Sequence, residues 1–160
     1  MSKYEVLATT AIESMRRHFQ MGDECTSLAT RMGLSIANYL ECPHDSMFYV
    51  EIKTDLNCGP QKIEVRGHRP TLTYARDGFW YFGLNFHFSL PTNDEFLELS
   101  VLYGLKKQAN NFILRRNTDV SIDVSEAEFF SVNNEELYNR LLKNCSHEDA
   151  ADSKKIGFAI

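Results

Sequence analysis

The hydrophobic positions of this chain change period twice, dividing it into helix, sheet and helix. Up to residue 40 the apolar residues recur every three or four positions: Tyr4, Leu7, Ala8, Ala11, Met15 and Phe19, then Leu28, Met32, Ile36 and Tyr39. That spacing puts each set on one side of an α-helix. Ser2, with Glu5 three residues later, forms a capping box in which hydroxyl and carboxylate satisfy amides left free by the first turn. Gly22 reads as a stop and Asp23 as a new N-cap, so the spacing predicts two helices within 3–40. Pro43 cannot continue the second.

After Pro43 the period becomes two. "MFYVEIKTD" sets Phe48, Val50 and Ile52 against Tyr49, Glu51 and Lys53, "KIEVRG" alternates Ile63 and Val65 with charges, and "TLTYA" is a short strand. "NCGP", "HRP" and "RDG" supply turns between them. The richest stretch is "FWYFGLNFHFSL", residues 79–90. Trp80, Phe82, Leu84, Phe86, Phe88 and Leu90 form one side and read as core. Phe79, Tyr81, Gly83, Asn85, His87 and Ser89 form the other, expected to be an outer face open to solvent or a partner.

In "LELSVLYGLK", Leu97, Leu99, Val101, Tyr103 and Leu105 alternate strictly. Thr92 or Asn93 could instead cap a helix there, but the alternation favours a strand. A hairpin with coincident apolar faces would place Phe88 opposite Leu99, Phe86 opposite Val101, His87 opposite Ser100, Ser89 opposite Glu98 and Tyr81 opposite Lys106. "FILRRNTDVSIDV" gives one or two further strands. "NNEELYNRLLKNC" is a final helix, with Asn133 and Glu136 at its start and Leu137, Leu141 and Cys145 as its stripe. The expectation is a single α+β domain over 1–146: an antiparallel sheet of about five to seven strands, packed by two N-terminal helices and one C-terminal helix. A polar tail, 147–160, follows. It ends in "IGFAI", whose alternating Ile156, Phe158 and Ile160 suit addition of a strand to a sheet edge.

Composition adds limits. In 160 residues, 43% hydrophobic and 24% charged side chains are those of a globular chain. No apolar run reaches the length of a membrane span. The first twenty residues carry acids and lack a long apolar centre, so a cytoplasmic protein without membrane attachment is expected. Cys25, Cys42, Cys58 and Cys145 form no CxxC pair and read as free thiols. The net charge of −5 argues against bulk nucleic-acid binding. The charge is uneven, however: residues 61–117 hold 8 basic and 5 acidic side chains, while both flanks are acidic.

Several side chains are candidates for chemistry. His87, with Ser89 and Glu98 on the neighbouring strand, could move protons near neutral pH. "HFS" at 87–89 and "HDS" at 44–46 both have the His-x-Ser shape of two-histidine phosphoesterases, so His87, Ser89, Glu98 and His44 are the candidates for a phosphoester hydrolase. No duplicated half accompanies them. Glu51, Lys53 and Asp55 have the acid-x-Lys look of a nuclease metal site but lack an upstream strand acid. Cys42, His44, Cys58 and His68 are zinc-type ligands at spacings that fit no standard finger. No cofactor or metal is expected. The basic middle, comprising Arg66, Arg69, Arg76, Lys106, Lys107, Arg115 and Arg116, could dock an acidic protein or, with its aromatic neighbours, single-stranded nucleic acid. No glycine-rich phosphate loop or nucleophile elbow is present.

The favoured reading is a small non-enzymatic protein, an accessory, inhibitor or adaptor that binds a protein partner. Its expected binding residues are Tyr81, Asn85 and His87, the basic hairpins, and the terminal Phe158 and Ile160. A phosphoester hydrolase and a single-stranded nucleic-acid module are the alternatives.

Overall fold

The computed structural model describes residues 1–55, 59–89, 96–116, 119–122, 125–145 and 157–158, with side chains left out at 54–66, 145 and 157–158. One long helix, α1 (Lys3–Tyr39), leads into β1 (Met47–Asp55), β2 (Gly59–Gly67), the two-residue β3 (Thr73–Tyr74), β4 (Trp80–Ser89), β5 (Phe96–Gln108), β6 (Asn111–Arg115) and β7 (Asp119–Ile122). Helix α2 (Glu126–Cys145) follows, and β8 (Gly157–Phe158) lies near the end. The class is α+β. Six strands run antiparallel in the order β2-β1-β4-β5-β6-β7. β3 extends the edge of β4 beyond β1, and β8 pairs parallel with β5 at Leu99 and Ser100.

The N-terminal pair of helices is one helix of 37 residues. Gly22 does not stop it. A β-carbon at Gly22 would lie 2.8 Å from Cη2 of Trp80, so the glycine lets the indole lie against the helix backbone. Gly33 does the same for Tyr49, whose hydroxyl donates to the Ala29 carbonyl at 3.1 Å. Helix α1 therefore sits on the sheet through a seam of small residues, Gly22, Cys25, Ala29 and Gly33, flanked by buried Leu28, Met32 and Ile36. The capping box at Ser2 and Glu5 is present as the sequence implies, with both hydrogen bonds made.

Helix α2 begins earlier than its sequence signal. Ser125 accepts from the Glu128 amide at 3.4 Å, and Asn133 and Asn134 lie inside the helix, buried. Asn134 Nδ2 donates to Ser35 Oγ at 2.8 Å, and Arg31 pairs with Glu126; both interactions tie α2 to α1. Both helices cover the face bearing Phe82, Leu84 and Phe86 of β4 and Leu99, Val101, Tyr103 and Leu105 of β5, against Phe129, Leu137 and Leu141 of α2. Phe88 belongs to this face by alternation and reads as core in the sequence, but it is exposed.

The β5–β6 hairpin turns through Ala109, whose φ of 52° lies in the left-handed region. A β-carbon costs about 1 kcal/mol there and glycine does not pay it. Ala109→Gly is expected to stabilise the fold by roughly 0.5 kcal/mol once glycine's greater chain entropy is subtracted. A urea midpoint at or below that of the unaltered protein would contradict this.

Candidate functional site

The sheet face away from the helices is not the solvated surface that its residue types suggest. Tyr81 and Asn85 are 5% and 1% exposed, and Ser100 is fully buried. The cause is the register of β1. Phe48 stands opposite Asn85 and Val50 opposite Gly83, so the apolar residues of β1 share a face with the supposedly outer residues of β4. Val50 and Ile52 lean over Gly83, and with Phe79, Tyr81, Ala75, Leu102 and Ile113 they make a second apolar cluster.

The β4–β5 hairpin is present, but two residues out from the expected pairing. His87 stands opposite Glu98, Asn85 opposite Ser100, Phe86 opposite Leu99, Ser89 opposite Phe96 and Tyr81 opposite Gly104. A row of polar groups results. His87 Nδ1 lies 3.4 Å from Glu98 Oε1, and the Phe96 ring stacks on the imidazole at 5.0 Å. Ser100 Oγ donates to Asn85 Oδ1 at 3.1 Å. A His–Glu pair of this kind can hold and pass a proton. Ser100 is sealed from substrate, while Ser89 is exposed and paired with Phe96 rather than Glu98. His44 lies in the α1–β1 connection, its ring 5.0 Å from that of His68.

The basic residues do not form one patch. Arg115 is bound into the second cluster: its guanidinium lies 3.7 Å above the Phe79 ring and donates to Asp77, Asp119 and the Tyr81 hydroxyl. The Asp119 hydrogen bonds push the Arg115 pKa up, and the same bonds hold the Asp119 carboxyl below its usual value. Lys106 also leans over Phe79. Lys107 and Arg116 point instead to the helix side, where they pair with Glu24 and Glu136. Arg69 and Arg76 are exposed on the connections flanking β3. The side chain of Arg66, the side chain of Phe158 and all of Ile160 lie outside the described residues. Glu24, Asp77, Asp119 and Glu136 are thus paired with the chain's own cations.

On the helix side, Tyr103 is completely buried, and burial pushes its hydroxyl pKa up to about 12 against the opposing influence of nearby Arg116. Burial likewise raises the Cys25 thiol to about 11 and pushes the Cys42 thiol up, so neither is an activated nucleophile.

An exposed apolar stripe lies elsewhere. The stripe that seats α1 at Gly22, Cys25, Ala29 and Ile36 continues toward the N-terminus at the same spacing through Tyr4, Leu7, Ala8, Ala11, Met15 and His18. Among the described residues, the His18 ring of this stretch lies 4.6 Å from Tyr74 and 5.0 Å from Trp80. Tyr4 is 79%, Leu7 70% and Met15 53% exposed on the N-terminal side of His18, and Phe19, next to it, is 59% exposed. The sequence marks Tyr4, Leu7, Ala8, Ala11, Met15 and Phe19 as one side of a helix; periodicity reports that a face is apolar and not what covers it.

Among the described residues no helix is long and apolar enough to cross a membrane. No protein-family model, curated protein or solved structure matches the chain.

Proposed function

We propose that the protein acts without covalent chemistry, as an assembly module that binds protein through the projecting half of α1, and that the occupant of this face is a second copy of the chain. The observation that carries the reading is the exposed stripe from Tyr4 to Phe19. Contiguous exposed apolar surface of this kind marks an interaction site.

The stripe is self-complementary. Its large residues stand at the two ends and its small ones, Ala8, Ala11 and Ser14, in the middle. Two copies packed antiparallel about Ala11 place Ala11 on Ala11, Ala8 against Ser14 and Leu7 against Met15, with Tyr4 of each copy level with the His18 of the other. The small centre allows close approach, and the bulky ends interlock. Charge agrees: the same register brings Glu5 of each copy beside Arg16 and Arg17 of the other. Two such faces bury on the order of 1,000 Å² of apolar surface, close to the lower bound for specific interfaces before flanking polar side chains are counted.

Sedimentation equilibrium tests this. A species of twice 18.4 kDa is expected at micromolar concentration, with Leu7→Asp weakening association at least tenfold. Under oxidation, Ala11→Cys should crosslink across the two-fold axis while Tyr4→Cys should not. A monomer at every concentration would overturn the reading, and so would equal crosslinking at both positions, which indicates parallel or non-specific pairing.

A further inference from the structure

We propose that His44, Asp45 and His68 form a binding site for a divalent transition-metal ion of the zinc class. His44 and Asp45 come from the connection between α1 and β1, and His68 from the connection after β2. A donor atom from each lies within 4.8 Å of the other two. The two imidazole rings are 5.0 Å apart, and His44 Nδ1 is 3.2 Å from Asp45 Oδ1.

Two imidazoles and a carboxylate are borderline and hard donors respectively. Such a set suits Zn²⁺, Ni²⁺ or Cu²⁺ and gives Mg²⁺ and Ca²⁺, which need several oxygens, little to hold. Ligand atoms around tetrahedral zinc stand about 3.4 Å apart, given bonds near 2.1 Å. Closing from 4.8 Å needs only side-chain rotation, and all three residues are exposed. Phe48 packs its ring 5.3 Å from that of His68 and steadies it from below. The fourth position faces solvent and is left to water.

The sequence sets Cys42 and Cys58 beside these histidines only at spacings that fit no standard finger, and expects no metal; the third group beside the two imidazoles in the structure is Asp45. Cys42 is partly buried and packs against the main core. Cys58 lies outside the described residues. Asp45 is legible in hindsight as the neighbour of His44, since adjacent loop residues can turn both side chains to one side. A bound ion would fasten the start of β1 to the end of β2, where Tyr49 pairs with Gly67.

Calorimetric titration of the metal-free full chain with Zn²⁺ is the test, with Mg²⁺ as control. One Zn²⁺ per chain at micromolar affinity is expected, weakened at least tenfold in both His68→Ala and Asp45→Asn, with no Mg²⁺ heat. Co²⁺ substitution should give visible absorption that the same variants lose. These residues are exposed, so the variants are expected to keep the wild-type circular dichroism. Zinc binding that survives His68→Ala with unchanged affinity would overturn the proposal, as would binding abolished only by removal of Cys42.

Discussion

Gly33→Ala should destabilise the protein by about 2 kcal/mol, although the same change on an exposed helix surface gains about 1 kcal/mol. The sign reverses because the new β-carbon would lie 1.9 Å from the Tyr49 hydroxyl and 2.7 Å from its ring carbon Cζ. The buried tyrosine must move, and its hydrogen bond to the Ala29 carbonyl goes with it. Tyr49→Phe removes the oxygen that clashes. The double variant Gly33→Ala/Tyr49→Phe should therefore lose less than the sum of the two single changes, since contacting residues couple by 0.5 kcal/mol or more. Chemical denaturation of all four proteins measures this. Strict additivity would mean that the ring does not rest on the helix backbone.

The second large effect is expected at Arg115. Arg115→Leu removes the cation above Phe79 and the donors to Asp77, Asp119 and the Tyr81 hydroxyl at once. Arg115 is about one-third exposed, and the aspartates can rehydrate. A loss of about 2 kcal/mol is expected, mostly from the stacked, hydrogen-bonded guanidinium. For a chain of this length that is a fall of roughly 4–8 °C in Tm. Acid should narrow the difference. The Arg115 hydrogen bonds hold the Asp119 carboxyl below its usual pKa, so their stabilisation is complete above the unfolded value near 4 and is lost as pH falls through the folded value. The gap between wild type and variant should therefore shrink below about pH 4. A gap that widened on acidification would show that Asp119 is not the partner.

What the sequence disclosed, and what it concealed, follows from the range of each signal. The Ser2–Glu5 box and the strand period of 97–105 are local, and both hold in the fold. The helix break at Gly22 failed because glycine has two uses, ending a helix and admitting a close neighbour. The second use depends on Trp80, 58 positions away. The outer face of β4 failed for the same reason. Whether Tyr81 and Asn85 meet water depends on which face of β1 stands beside them, and a shift of one residue in that pairing exchanges the faces. The register between β4 and β5 is not read by periodicity, because a slip of two residues leaves the same apolar faces together. Among the candidate site residues, His87 and Glu98 do come together, although the sequence pairs His87 with Ser100. Arg115 reads from composition as a surface cation, yet Asp77, far off in sequence, holds it in place.

The clamp of Tyr74 and Trp80 on His18 has a mechanical consequence. It fixes the direction in which α1 leaves the sheet, and the unbroken helix carries that direction outward as a strut. With two struts laid side by side about Ala11, His18 of one copy stands level with Tyr4 of the other. The sheets are then held about 20 Å apart along the shared axis, at 1.5 Å per residue. Such a pair is a spacer of set length, able to present two identical surfaces at a distance that does not vary with the identity of whatever lies between them.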